Sequence, residues 1–147
     1  MIIAQKLPSR LESIPQFLEV LIEKIKGSAV LSEEELFNVK LCLEEAIVNA
    51  VRHGNKLNPE LSVEVIIEAG PDALTLKVIN QGEGFDYSKV PDPTKGENFL
   101  KTSGRGVFLI KQLMDKVDYF DCGRGIKMIK FLKSKEARRE DKSREKK

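Results

Sequence analysis

Two side chains on one predicted helix pose the first chemical question. In the stretch LCLEEAIVNAVRHG, Leu41 to Gly54, the carboxylate of Glu45 and the amide of Asn49 lie one helical turn apart. At 100° per residue Leu36, Val39, Leu43, Ala46, Ile47 and Ala50 gather on one face, and Glu45, Asn49 and Arg52 on the opposite one. One face is expected to pack and the other to present chemistry. Two glycine clusters follow, Asn80-Gln81-Gly82-Glu83-Gly84 and Ser103-Gly104-Arg105-Gly106. Both can bring bare backbone close to a ligand. The second opens a predicted helix, whose free N–H groups and dipole favour phosphate oxygens. Singly, these features read as a polar helix face, a turn and a cap. In this order they point to a phosphate-bearing ligand.

The elements that must hold these residues follow from periodicity. Ile2 to Leu7 reads as a short strand, and Ser9 or Ser13 can cap a helix running towards Gly27, with Pro15 in its first turn. Leu18, Leu21, Ile22 and Ile25 supply that helix with an apolar stripe. Ser32 and Glu35 form a capping box for the helix carrying Glu45 and Asn49, and Gly54 supplies its stop. The period then changes to two. Val63, Val65 and Ile67 alternate with Glu64, Ile66 and Glu68, and after Gly70-Pro71-Asp72 the run Leu74 to Ile79 continues in the same style, which predicts an antiparallel hairpin. Gly82 to Ser103 is too long for a simple connection and reads as a functional loop or lid. Gly104 to Met114 reads as a helix, and Val117–Cys122 with Ile126–Leu132 as a second hairpin around Gly123-Arg124-Gly125. The expected class is α+β, a two-layer sandwich with helices on one face of a mixed, mostly antiparallel sheet.

Composition narrows the rest. The chain has 147 residues, 41% hydrophobic and 33% charged, suited to one domain over residues 1–133. Between Lys133 and Lys147 stand eight Lys/Arg against four Asp/Glu, so the net charge of +2 comes from this end; the remainder carries 17 basic against 19 acidic residues. Residues 134–147 read as a charged, disordered or frayed-helical tail. Its charges are not interleaved with aromatic residues, so direct nucleic-acid binding is not expected. Apolar runs fall short of the ~20 residues a membrane span needs, and a cytoplasmic protein without membrane contact is expected. Cys42 and Cys122 lie in periodic segments without metal-ligand spacing and read as buried thiols.

The motif set resembles a known superfamily. Glu45-Ala46-Ile47-Val48-Asn49-Ala50 with His53-Gly54 looks like the N box of the histidine-kinase-like (GHKL) ATPases, which share the Bergerat fold. Asn80-x-Gly82-x-Gly84-Phe85-Asp86 resembles the first glycine box of these ATPases, and Ser103-Gly104-Arg105-Gly106-Val107-Phe108-Leu109-Ile110 the second. Within the superfamily the chain is most similar to the anti-sigma factor serine-protein kinases of bacterial partner-switching systems. The resemblance implies ATP and Mg²⁺, with Asn49 as metal ligand and Glu45 as general base towards an incoming hydroxyl. It also implies that Gly82 and Gly84 pass beside adenine, that Ser103, Gly104 and Gly106 form the phosphate-side turn, and that Lys101 and Arg105 balance charge on the transferred group.

Partners follow from the same resemblance. His53, the single histidine, ends the N-box helix, where a cation would complement the dipole, so a protein acceptor is expected in its place. The family suggests a serine or threonine of a STAS-type anti-anti-sigma partner, a sequestered sigma factor, and a homodimer built on the amino-terminal strand and helix. Two other readings are a nucleotide-gated protein-binding regulator without phosphoryl transfer and a scaffold that binds no nucleotide. One residue departs from the family pattern. Its first glycine box begins with Asp, whereas this chain has Asn80. An amide oxygen can still accept from an adenine amino group, but it is a weaker acceptor, and the NH₂ end needs a partner if buried. Weaker binding or relaxed base preference is therefore expected.

Overall fold

The computed structural model describes residues 1–83 and 102–132, with the backbone alone for residues 102–105. Gly84, Lys101, most of the loop between the glycine clusters and residues 133–147 lie outside the described residues. The strands are β1 (Ile2–Pro8), β2 (Ser62–Ala69), β3 (Ala73–Asn80), β4 (Lys116–Phe120) and β5 (Gly125–Phe131). The helices are α1 (Ile14–Ser28), α2 (Glu33–Asn49) and α3 (Thr102–Leu113). The sheet runs in the order β1-β2-β3-β5-β4. All four described pairings are antiparallel, so the mixed component allowed for from the sequence does not occur among them. The α+β layering is as expected.

One face of the sheet makes the core. Ile3, Leu7, Val63, Val65, Ile67, Leu74, Leu76, Val78, Ile126 and Met128 are buried together with Leu18, Leu21, Ile22 and Ile25 of α1 and Val39, Leu43 and Ile47 of α2. Burying each such side chain contributes roughly 1.5–3 kcal/mol. Alternation in β2 and β3 is therefore the direct cause of the layering.

The ends of α2 decide where the chemistry lies. Ser32 Oγ accepts from the Glu35 N–H at 3.1 Å and Glu35 Oε1 accepts from the Ser32 N–H at 3.0 Å, the complete capping box. The other end does not stop at once. After Asn49 the chain widens into a π-helical turn, Ala50–Gly54, closed by the Asn55 N–H donating to Ala50 O at 2.8 Å. Ser9 does not cap α1. It is buried, and its Oγ donates to Leu61 O at 2.7 Å. Ser13 takes the cap position without a side-chain hydrogen bond, and Pro15 is accommodated in the first turn.

Connectivity then gathers the remaining parts. Leaving β3 at Asn80, the chain forms α3, runs to the outer edge as β4, and returns as β5 directly beside β3. The start of β5 thus lies against the end of β3, with the Asn80 N–H donating to Arg124 O at 2.9 Å. The β4–β5 connection, Asp121–Gly123, corrects one expectation. Cys122 is exposed there rather than buried, because Asp121 and Cys122 both adopt left-handed backbone, at φ 52° and 53°, outside either strand.

Candidate functional site

Glu45 and Asn49 do not face solvent. Asn49 is only 5% exposed and Glu45 half-buried. The sequence missed this because α3, whose placement has no local signature, packs along that side of α2. Gly106 lies against Glu45. A Cβ there would collide with Glu45 Oε2 and lie 3.6 Å from Asn49 Nδ2. Only a glycine lets the second cluster come this near. Arg52, grouped with the pair on the helical wheel, remains exposed and joins neither.

The electrostatics of this end are unbalanced. Burial pushes the Glu45 carboxyl above the usual carboxylate range, and the neighbouring Glu44 charge adds to the rise. Asn49 Nδ2 is buried without a hydrogen-bond partner among the described residues, a state costing about 1–3 kcal/mol. A half-buried carboxylate and an amide N–H donor converge on one glycine, and phosphate oxygens are the acceptors that such a donor can take. One turn earlier, Cys42 is fully buried, its thiol pushed up to about 11 first by desolvation and then by the Glu45 charge, so it is inert packing. His53 moves the opposite way from the helix-cation expectation: burial, then the Arg52 charge, lower its pKa and favour the neutral ring.

The first glycine cluster is built differently. Asn80 is 4% exposed, and its Nδ2 donates to Glu83 O at 3.1 Å. That bond supplies a partner for its NH₂ end and identifies Oδ1 as the acceptor end of the amide. Asn80 packs flat on Gly54, where any Cβ would strike its amide group. Gly82 sits against Gly54 in turn: a Cβ there would meet Gly54 O and lie 2.9 Å from Asn55 Oδ1. Gln81 Oε1 accepts from the Ser62 N–H at 2.8 Å, and Glu83 pairs with Lys56 at 2.9 Å on the surface.

The structure thus brings Glu45, Asn49 and Gly106 together at one end, and Asn80 and Gly82 together at the other side of the same helix terminus. Ser103, Gly104 and Arg105 lie in the first turn of α3 by their backbone, because the helix begins at Thr102, two residues before the start at Gly104 expected from the sequence. Gly84 and Lys101 are outside the described residues. Three residues hold the site in ways the sequence reading did not anticipate: Ser9, read there as a helix cap, Arg124, read as part of a hairpin turn, and Asn55. Asn55 follows the glycine stop in a polar stretch that reads as loop, and its burial to 2% exposure has no periodic trace.

Comparison with known proteins covers the span that holds these residues. A family model for the histidine kinase-like ATPase domain matches residues 7–132. The chain belongs to the histidine kinase-like ATPase domain family. Within it, the chain is 32% identical over 144 residues to the serine-protein kinase RsbW of Staphylococcus epidermidis, covering 92% of this chain and 90% of that protein. The serine-protein kinase RsbW of Staphylococcus aureus strain MW2 is 29% identical over the same shares. No helix among the described residues is long and apolar enough to cross a membrane.

Proposed function

We propose that this chain is an ATP-dependent serine/threonine protein kinase that phosphorylates a STAS-type anti-anti-sigma protein and, when free of it, sequesters a sigma factor. The convergence of Glu45 and Asn49 on Gly106 carries the reading. Asn80 Oδ1 accepts the adenine amino group, while Gly82 and Gly84 leave room for the base. Ser103, Gly104, Arg105 and Gly106, at the start of α3, direct N–H groups to the phosphates, and Lys101 and Arg105 balance their charge. Glu45 takes the proton of the attacking serine or threonine hydroxyl as its oxygen bonds to the γ-phosphorus. The bond from that phosphorus to the bridging oxygen breaks, and ADP leaves with the electron pair. A carboxyl held above its ordinary range is the better base near neutral pH. When bound at Asn49, Mg²⁺ supplies neutralisation of phosphate charge. The active form is a cytoplasmic homodimer joined through β1 and α1.

Support for the kinase reading comes from the two relatives named as serine-protein kinases and from the half-buried Glu45 carboxyl beside Gly106. A second reading, nucleotide-gated partner binding without transfer, is favoured by the neutral Asn80 at the head of the first glycine box. Incubation with radiolabelled ATP and a STAS-domain protein separates them. Label on a serine or threonine of that protein, lost in Glu45→Gln, supports the kinase. ATP-dependent complex formation without label supports the regulator and overturns the transfer step.

A further inference from the structure

Gly82 is held from two sides by residues that no motif predicted. Its N–H donates to Asn55 Oδ1 at 2.7 Å, and its carbonyl accepts from Arg124 Nε at 2.9 Å. Asn55 stands just past the π-turn that follows α2, and Arg124 immediately before β5, 69 positions later. Two distant parts of the chain therefore meet on one glycine. Asn55 spends the rest of its amide as well: Nδ2 donates to Ser9 Oγ at 2.8 Å and to Ser62 O at 3.0 Å. Every hydrogen of that side chain is thus committed, tying the end of β1 and the start of β2 to the glycine turn.

Ordinary core satisfaction does not explain Arg124. Its side chain is 42% exposed, so solvent could serve it, and its contact with Asp121 is long, at 3.5 Å. It spends its best-formed bond on the Gly82 carbonyl instead. The result is a turn whose central peptide groups are oriented before any ligand arrives. Ordering a loop on binding costs free energy that a pre-built turn avoids.

We propose that Asn55 and Arg124 are positioning residues that set nucleotide affinity by clamping both backbone groups of Gly82. The inference rests on the nucleotide reading above. It assigns them to binding alone, whereas Glu45 acts in transfer.

The test is calorimetric titration of Mg²⁺-ATP into the 147-residue chain and into Arg124→Ala, Asn55→Ala and Asn55→Asp, each below its melting temperature. Loss of one such bond is expected to raise Kd about three- to tenfold in Arg124→Ala, and at least as much in Asn55→Ala. Asn55→Asp keeps an acceptor for the Gly82 N–H and should recover part of the affinity, although its melting temperature falls with the lost Nδ2 bonds. A purely structural role would lower melting temperatures while leaving Kd unchanged in all three, which overturns the proposal. If Asn55→Ala does not fold, Arg124→Ala decides alone. Absence of ATP binding by the unsubstituted chain would instead overturn the nucleotide reading itself.

Discussion

The two ends of the candidate site satisfy their polar groups in opposite ways. Around Asn80 and Gly82 the turn is tied to protein partners: Gln81 Oε1 to the Ser62 N–H, the Gly82 N–H and carbonyl to Asn55 and Arg124, and Asn80 Nδ2 to the Glu83 carbonyl. Around Glu45 and Asn49 the reverse holds, with a carboxyl whose ionisation is disfavoured and a buried amide nitrogen lacking a partner. The contrast teaches how the labour is divided. A neutral, shape-defined group such as a nucleobase is recognised by geometry fixed in advance, whereas charge that moves during a reaction is met by groups left electrostatically incomplete. Stability is sacrificed at the second end only.

That division can be broken at its most sensitive point. Glu45→Gln keeps the shape beside Gly106 and removes the base, so transfer to a STAS-domain acceptor should fall about 10²–10⁴-fold with Kd for Mg²⁺-ATP unchanged. Normal transfer by this variant would dismiss Glu45 as the base. The same substitution probes linkage. Because the folded state raises the Glu45 pKa, the carboxyl stabilises the fold least when ionised. Its contribution is fully present below the ordinary carboxylate range and is lost as pH rises through the elevated value. Glu45→Gln should therefore melt higher than the parent near neutral pH and converge with it in acid. Transfer by the parent should fail, on acidification, at a higher pH than an ordinary glutamate base would allow.

Gly106→Ala comes next in size. Its Cβ meets Glu45 Oε2 and has no slack, so the helix or the carboxylate must shift, at a cost of roughly 1–3 kcal/mol by thermal unfolding. Transfer is expected to drop with it, while the base-side turn, which Gly106 does not touch, retains ATP-over-GTP preference in a competition assay. Asn49→Ala should weaken nucleotide binding in magnesium about tenfold, on the scale of a bond to a charged partner, and hardly at all in chelator; equal losses in both buffers would show that Asn49 does not serve the metal.

Smallest of all is a control at the far end of α2. Ser32→Ala removes the capping box and should cost about 1 kcal/mol in denaturant unfolding, without changing Kd. Any effect on nucleotide binding would mean that the helix does not behave as a rigid carrier of Glu45 and Asn49.

Legibility in the sequence followed the range of the interactions. The Ser32 and Glu35 box, the apolar stripe of α1 and the alternation of β2 and β3 are local patterns, and the structure matches them closely. The glycines at 54, 82 and 106 were visible as glycines, but what each approaches was not. Their partners come from elsewhere in the fold: the Asn80 amide, Gly54 and Asn55, and Glu45. The helical wheel put Asn49 on the face expected to present chemistry, but a wheel cannot represent α3 lying over that side. Asn55, 27 positions from Gly82, and Arg124, 42 positions from it, left no periodic signal at all. The order β3-β5-β4, which brings Arg124 to the site, is likewise a property of tertiary packing.

Calorimetry with ATP and GTP, each with and without magnesium, tests the central division most directly. If the base side is pre-built around the Asn80 acceptor and the phosphate side is completed by a cation at Asn49, ATP binds in preference to GTP in both buffers, and magnesium tightens ATP in the parent but not in Asn49→Ala. Equal affinity for the two nucleotides, or no binding at millimolar concentration, would contradict it.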